Sequence, residues 1–482
     1  MITPELILIS ALLVPTAASI LVPVIGLKLP RLRNIIALLL VLTPLVASLS
    51  LVPEALNGRI VTYSYPLAQG FNILFRADLL AIFMAIVSSF ISAVIVVFSF
   101  DYISHYEHQN EYYLMVVLFL GSMIGICYAA NAIMLYLFWE ITAVTSWRLI
   151  GFFRNREYVV RADKAFLVTA FGALAMLVGF FILWGEAGSF DFPVLKEFYS
   201  NRPAGHLAVF LIMAGILSKS ATLPFHSWLP DAGVAPSPVT ALLHAAVLVK
   251  IGVYVYARLF LATLTVGDIW HIVVPAVALA STVVSAGAAI IEKDIKRVIA
   301  YSTISQIGFI FFGLSTGSEI GVLGGLLYIL MHGISKAGLF LSAGIIEQNL
   351  KERDITKMGG LMKTMPVTGV SFFLCSLSVM GIPPFGGFFS KYLVIAGAIQ
   401  KGQWHIALAF MAAAFLTVVY LLRLFNHIFL GEAVTKPVAE KSRTMVATVA
   451  LLAALSLASG LLVDRAADVA APAVRQILGA VK

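Results

Sequence analysis

The sequence predicts an all-α polytopic membrane protein of about 14 transmembrane helices. They form two inverted five-helix repeats, spans 4–8 and 9–13, each with a broken helix. Three observations lead there. The 482 residues are 61% hydrophobic and only 12% charged, with mean hydropathy +0.99; soluble domains lie near ~45–50% apolar and ~25% charged. The apolar residues fall in runs of about 20, the length that a ~30 Å hydrocarbon core requires. Two runs, 206–229 and 366–400, are interrupted by Pro and Gly and carry a lysine close to the interruption. Proline breaks the helical hydrogen-bond ladder. Irregular backbone at membrane depth persists only against protein or a wet cavity.

Taken in order, the spans lie near 5–25, 34–52, 79–99, 112–130, 132–152, 164–185, 206–229, 239–260, 271–291, 297–315, 320–347, 366–400, 404–430 and 445–462. The N-terminal stretch MITPELILISALLVPTAASILV has no basic n-region and carries Glu5, which predicts a first span rather than a cleaved signal peptide. Residues 53–78 are polar and strand-like, with the pattern of a hairpin. From 463 the tail is weakly amphipathic and is expected at an interface. The divisions expected are 1–110 (spans 1–3), 111–260 (first repeat), 261–430 (second repeat) and 431–482 (span 14 and tail). The broken spans, seventh and twelfth, lie five apart, so they run in opposite directions, as an inverted repeat requires.

The charges orient the bundle. The loops after spans 1, 5, 9, 11 and 13 are basic, from Lys28, Arg31 and Arg33 to Lys436, Lys441 and Arg443. The opposite loops hold only Arg59, Arg76, Lys196, Arg202 and Lys401; the tail adds Arg465, Arg475 and Lys482. By the positive-inside rule both termini lie outside, in a multi-pass protein of the cell inner (cytoplasmic) membrane. The same asymmetry accounts for the net charge of +8 without nucleic acid. There is no Walker A loop, no GxGxxG and no CxxC. Cys127 and Cys375 stand alone in apolar runs and read as small buried hydrophobes. The expectation is therefore no cofactor, no metal, no nucleotide and no catalytic redox site.

Chemistry rests on the charges left at membrane depth. Lys219, Lys250, Lys336 and Lys391 sit in apolar runs and face one obvious acid, Glu140. A lysine at the bilayer centre costs ~2.5–3.5 kcal/mol on insertion scales and marks function by default. A desolvated lysine can take and give a proton near neutral pH, and a carboxylate nearby favours its charged form. His332 and Lys336 are one helical turn apart and can form a relay. His226 and His244 either border the same wet axis or simply pack. Ser302, Ser305 and Gln306 can order water or bond within the packing. Asp78, Asp231 and Asp294 lie at span ends and read as caps. Arg148 and Arg258 lie near span ends, where they can snorkel.

LFWEITAVTSWRLIGF, LSKSATLPFHSWLPDAGVAPSPVTALLHAAVLVKIGVY, DIKRVIAYSTISQIGFI, HGISKAGLF and GIPPFGGFFSKY carry a resemblance. They are similar to the antiporter-like subunits of respiratory complex I. They resemble equally the large subunits of Mrp-type cation/proton antiporters and of membrane-bound energy-converting hydrogenases. The resemblance spans roughly residues 75 to 430. It implies that Glu140 pairs with Lys219, and that Lys250, His332, Lys336 and Lys391 continue a proton path. Arg148, after Trp147, departs from the family pattern and either tunes Glu140 or meets lipid or a partner. The chain ends soon after span 14, without the long lateral helix of the largest complex I member. The implied function is a proton-translocating membrane subunit, with Na+ exchange open, among other membrane subunits of a redox-driven complex. The alternatives are an Mrp-type subunit without a redox partner, and a non-conducting scaffold.

Overall fold

The computed structural model describes residues 3–68, 71–432 and 438–479. Lys436 and Lys482 of the charge pattern lie outside them. Among the described residues, 11 helices are long and apolar enough to cross a membrane. Three shorter apolar helices, Pro4–Ala18, His206–Lys219 and Pro366–Met380, stand where the first, seventh and twelfth spans were expected. The latter two stop where the sequence is interrupted. After Lys219 the chain leaves the helix and resumes only as the short helix Trp228–Asp231. After Met380 it turns at Gly381, φ +84°, and resumes as Gly386–Gln400.

Burial sorts the helices into centre and rim. Helices Ile295–Ser315 and Glu319–Leu350 and the stretch Ser237–Leu261 are almost wholly enclosed. Helix Arg156–Ala187 instead exposes Leu167, Phe171, Leu174 and Val178. That spacing is one helical stripe, as expected of a face turned to lipid tails.

Within the stretch 53–78 the expected hairpin forms from β1 (Val61–Ala68) and β2 (Phe71–Ala77), antiparallel with Tyr63 opposite Phe75, whereas Pro53–Leu56 still belong to the preceding helix. It ties down the start of the helix that bears Glu140. Ala130 N donates to Leu74 O, and Phe75 packs on Phe138 with ring centroids 6.1 Å apart. Asn72 and Asn131 each donate to Asp191 at 2.6 Å. The tail is more strongly amphipathic than expected. Helix Val463–Ile477 docks on the bundle and buries Ala470, Ala473, Val474 and Ile477. Those positions recur at helical spacing, opposite a face that carries Asp464, Arg465, Asp468 and Arg475.

Candidate functional site: a buried basic axis

Helix Ala132–Ile150 begins at Asn131, whose Oδ1 accepts from Ile133 N and Met134 N. Such a cap satisfies donors that the first turn leaves unpaired. Glu140 follows nine residues later, about 13 Å along the helix. It is half-buried, stands one turn after Tyr136, and lines an apolar groove with Ile9, Phe75 and Phe138.

Lys219 is fully buried and ends its helix at the first break. Its Nζ donates to Trp139 O at 3.2 Å and stands 5.3 Å from the Trp139 ring centroid. Trp139 precedes Glu140, so the lysine meets the acid's helix through backbone and ring. The two charges interact electrostatically, without contact close enough for an ion pair. Gly252 lets span 8 press against this break: a Cβ there would come within 2.5 Å of Ile216 O.

The next group is tighter. Lys250, 0% exposed, contacts His332 Nδ1 at 2.9 Å and donates to Ala245 O at 2.7 Å and His244 O at 3.3 Å. These carbonyls are available because the helix widens at Leu242–Ala246, where Val247 N bonds Leu242 O five residues back. Wide turns of this kind concentrate at functional sites. The His244 ring lies 4.4 Å from Phe340. Both of its nitrogens, and Nε2 of His332, are buried without a hydrogen-bond partner among the described residues. Orphaned ring nitrogens in a core are points at which water bonds.

Lys336, also 0% exposed, donates to Ser302 Oγ and to Ile299 O at 3.1 Å. Ser302 opens a polar cluster. Tyr420 Oη reaches Ser302 at 3.1 Å, Gln306 Nε2 reaches Tyr420 Oη and Thr417 Oγ1 at 3.2 Å, and Tyr328 Oη donates to Gln306 Oε1 at 2.6 Å. Tyr328 leads to Lys391, whose Nζ stands 5.7 Å from its ring and 4.7 Å from Phe309. Lys391 donates to Val379 O at 2.8 Å and Met380 O at 3.4 Å, the last carbonyls of the helix before the second break. Those carbonyls carry the negative end of the helix dipole.

The sequence-predicted groups Lys250, His332, Lys336 and Lys391 are thus brought together, and the charges of Lys250, Lys336, Lys391 and His244 all act on His332. Glu140 and Lys219 form a separate couple beside them. His226 lies in the first break, with Nδ1 unpartnered. Arg148 is not directed at Glu140: it pairs with Glu111, which also holds Arg154 at 2.5 Å.

Two buried ion pairs escape a sequence reading. Arg258 does not snorkel but grips Asp78, 180 residues away. Lys296, which belongs to the loops by its position, is 1% exposed; it bonds Ala235 O at 3.0 Å and meets Glu347 at 2.5 Å. Only the acid late in the run LFLSAGIIEQNL signals the second. Among the described residues, no group of three His, Cys, Asp or Glu could hold a metal ion.

A multi-pass helical membrane protein with a line of charges through its centre is the class that these features define. The chain belongs to the NADH:quinone oxidoreductase/Mrp antiporter transmembrane family, matched over residues 129–417. One Na(+)/H(+) antiporter subunit, from Alkalihalophilus pseudofirmus, is 32% identical over 408 residues, 78% of this chain and 50% of that protein. NAD(P)H-quinone oxidoreductase subunit 5 of Paulinella chromatophora is 32% identical over 448 residues, 87% of this chain and 66% of that protein. The chain thus spans about half to two thirds of these relatives. The fold matches chains of the Mrp complex from a Dietzia species (TM-score 0.88, 22% identity, 98% of both chains). It also matches an archaeal membrane-bound sulfane sulfur reductase (TM-score 0.89, 22% identity, 98% of this chain and 97% of that one).

Proposed function

We propose that this chain is a proton-translocating, antiporter-like subunit of a larger membrane complex. Protons pass between Glu140–Lys219 and Lys391 through Lys250, His332 and Lys336. One observation carries this reading: Lys250, His332, Lys336 and Lys391 lie on three different spans, each at most 6% exposed, in one electrostatically joined set. Burial of several like charges is costly unless the charges come and go. Their acceptors are backbone carbonyls, a hydroxyl and a ring nitrogen rather than carboxylates, so each ammonium can lose its proton without stranding a counter-ion. A scaffold has no use for such a set.

The topology proposed with it is 14 spans in the cytoplasmic membrane, both termini outside, with repeats at spans 4–8 and 9–13. The eleven long helices and three shorter ones, together with the two breaks, support it. The relatives and structural neighbours named above support other membrane subunits as partners, and the antiporter relative supports Na+ as a counter-ion to be tested. The complex carrying Glu140→Gln, reconstituted in vesicles with assembly checked, should pump protons far more slowly than wild type. Unchanged pumping would refute the pairing of Glu140 with Lys219. An Na+-dependent proton signal would assign exchange rather than proton movement alone. Labelling of Arg156→Cys and Asp468→Cys from opposite sides tests the topology, and labelling from one side refutes it.

A further inference from the structure

The end of the bundle that carries the hairpin is poor in basic residues, and two of them are compensated: Arg59 faces Glu54 at 3.6 Å and Arg202 faces Glu186 at 3.8 Å. Arg76 and Lys196 behave otherwise. With Arg258 they converge, from three parts of the chain, on one cavity of about 50 Å³, which Asp78, Thr263 and Gln476 also line. Asp78 is already engaged. Arg258 forks both of its oxygens, and Oδ1 also accepts from Ala81 N at 3.0 Å. Arg76 Nε stands 3.9 Å from Asp78 Oδ2, beyond hydrogen-bond reach, and is buried without an acceptor. Lys196 makes no hydrogen bond or ion pair among the described residues. An orphaned buried donor is costly in a native structure and calls for a partner. A guanidinium nitrogen without an acceptor and an unpaired ammonium around one concavity specify the sign of that partner.

We propose that this cavity binds a phosphate-type anion, with Arg76 and Lys196 as its ligands and the Arg258–Asp78 pair as a fixed floor. Arg76 offers planar, directional donors and Lys196 a mobile point charge, a combination suited to phosphate oxygens. The site sits at helix ends, the level at which lipid headgroups border a membrane bundle. A lipid phosphodiester and free phosphate share this chemistry. The inference does not depend on the proton path, because neither ligand belongs to it.

The test uses the full chain, delipidated in neutral detergent. Phosphatidylglycerol, phosphatidylcholine or inorganic phosphate is added, thermal unfolding is followed, and retained lipid is counted by native mass spectrometry. Phosphatidylglycerol should raise the unfolding temperature of the wild type, and phosphatidylcholine, whose choline masks the phosphate, should not. Lys196→Gln, an exposed change that spares the fold, should weaken the apparent affinity about fivefold, and Arg76→Gln at least as much. The double variant should retain little of the effect. A response to inorganic phosphate equal to that to phosphatidylglycerol would keep the site and assign it to a free anion. Equal responses in wild type and variants, or none to either anion, would overturn the proposal.

Discussion

The two broken spans contain the same parts in opposite order. In the first, Lys219 is the last residue before the break, and it reaches across to the backbone of a neighbouring helix next to Glu140. In the second, Lys391 follows the break and reaches back to the carbonyls of its own first half. One lysine thus has an acid nearby, and the other has dipoles and the rings of Phe309 and Tyr328. A carboxylate favours the charged form of a lysine and can itself be neutralised, whereas a helix end is a fixed partial charge. On the proposed function, the first break is where charge is adjusted and the second where a proton is held by an unchanging field. Broken helices often flank ion sites; on the proposed reading the two flanks divide the work.

The sharpest way to break this contrast is at Lys391. Lys391→Arg keeps the charge and the carbonyl partners but does not give up a proton at accessible pH. Transport by reconstituted complex should fall by about two orders of magnitude or more, and Lys391→Ala should do the same. Lys391→Glu keeps a titratable group and should retain part of the activity. Near-normal transport by the Arg variant would reduce Lys391 to a fixed charge and erase the distinction.

Glu140→Gln should be milder. The carboxylate acts on Lys219 through space, without an ion pair, so a slowing of roughly tenfold or more is expected in vesicle assays. A loss equal to that of Lys391→Arg would make the two breaks equivalent.

The close approaches provide a third comparison. A Cβ at Gly387 would meet Ser378 O at 1.9 Å, and one at Gly252 would meet Ile216 O at 2.5 Å. Both Gly→Ala variants should lower the unfolding temperature, by overpacking of about 1–3 kcal/mol, and Gly387→Ala should be the worse. The reverse ranking in thermal melts would show that the second break yields more readily than its geometry implies.

Arg148→Gln should do least. Its side chain and that of Glu111 are 33% and 27% exposed, and such pairs contribute about 0–1 kcal/mol. Transport within about twofold of wild type is expected. A drop like that of Glu140→Gln would mean that the adjustable end extends to the loops.

The axis was legible because charge in an apolar run is expensive and so stands out: Glu140, Lys219, Lys250, Lys336 and Lys391 declare themselves one by one. The breaks were legible because Pro and Gly punctuate them. What stayed hidden depends on partners far apart in sequence. Asp78 reads as a cap, which it is, with nothing to announce Arg258. Lys296 sits in the basic stretch DIKR, indistinguishable there from a solvated residue, until Ala235 O and Glu347 enclose it. The separation of Glu140–Lys219 from the central set was equally silent, since order along the chain says nothing of lateral distance.

The widened turn at Leu242–Ala246 has a consequence for how this chain can vary. A turn closed five residues back instead of four holds one residue more than a regular helix needs at that place. Loss of a single residue there would leave an unblemished helix, more regular than before. Everything beyond it would stay close to its present register, because the five residues of a wide turn advance the chain about as far as four of a regular one. Lys250 would still face His332, but the carbonyls of His244 and Ala245 that it now bonds would be drawn into the regular ladder. The acceptors of the central lysine are thus stored as a count of residues rather than as the identity of any one of them. In this stretch, a change in length is a graver event than a change in letter.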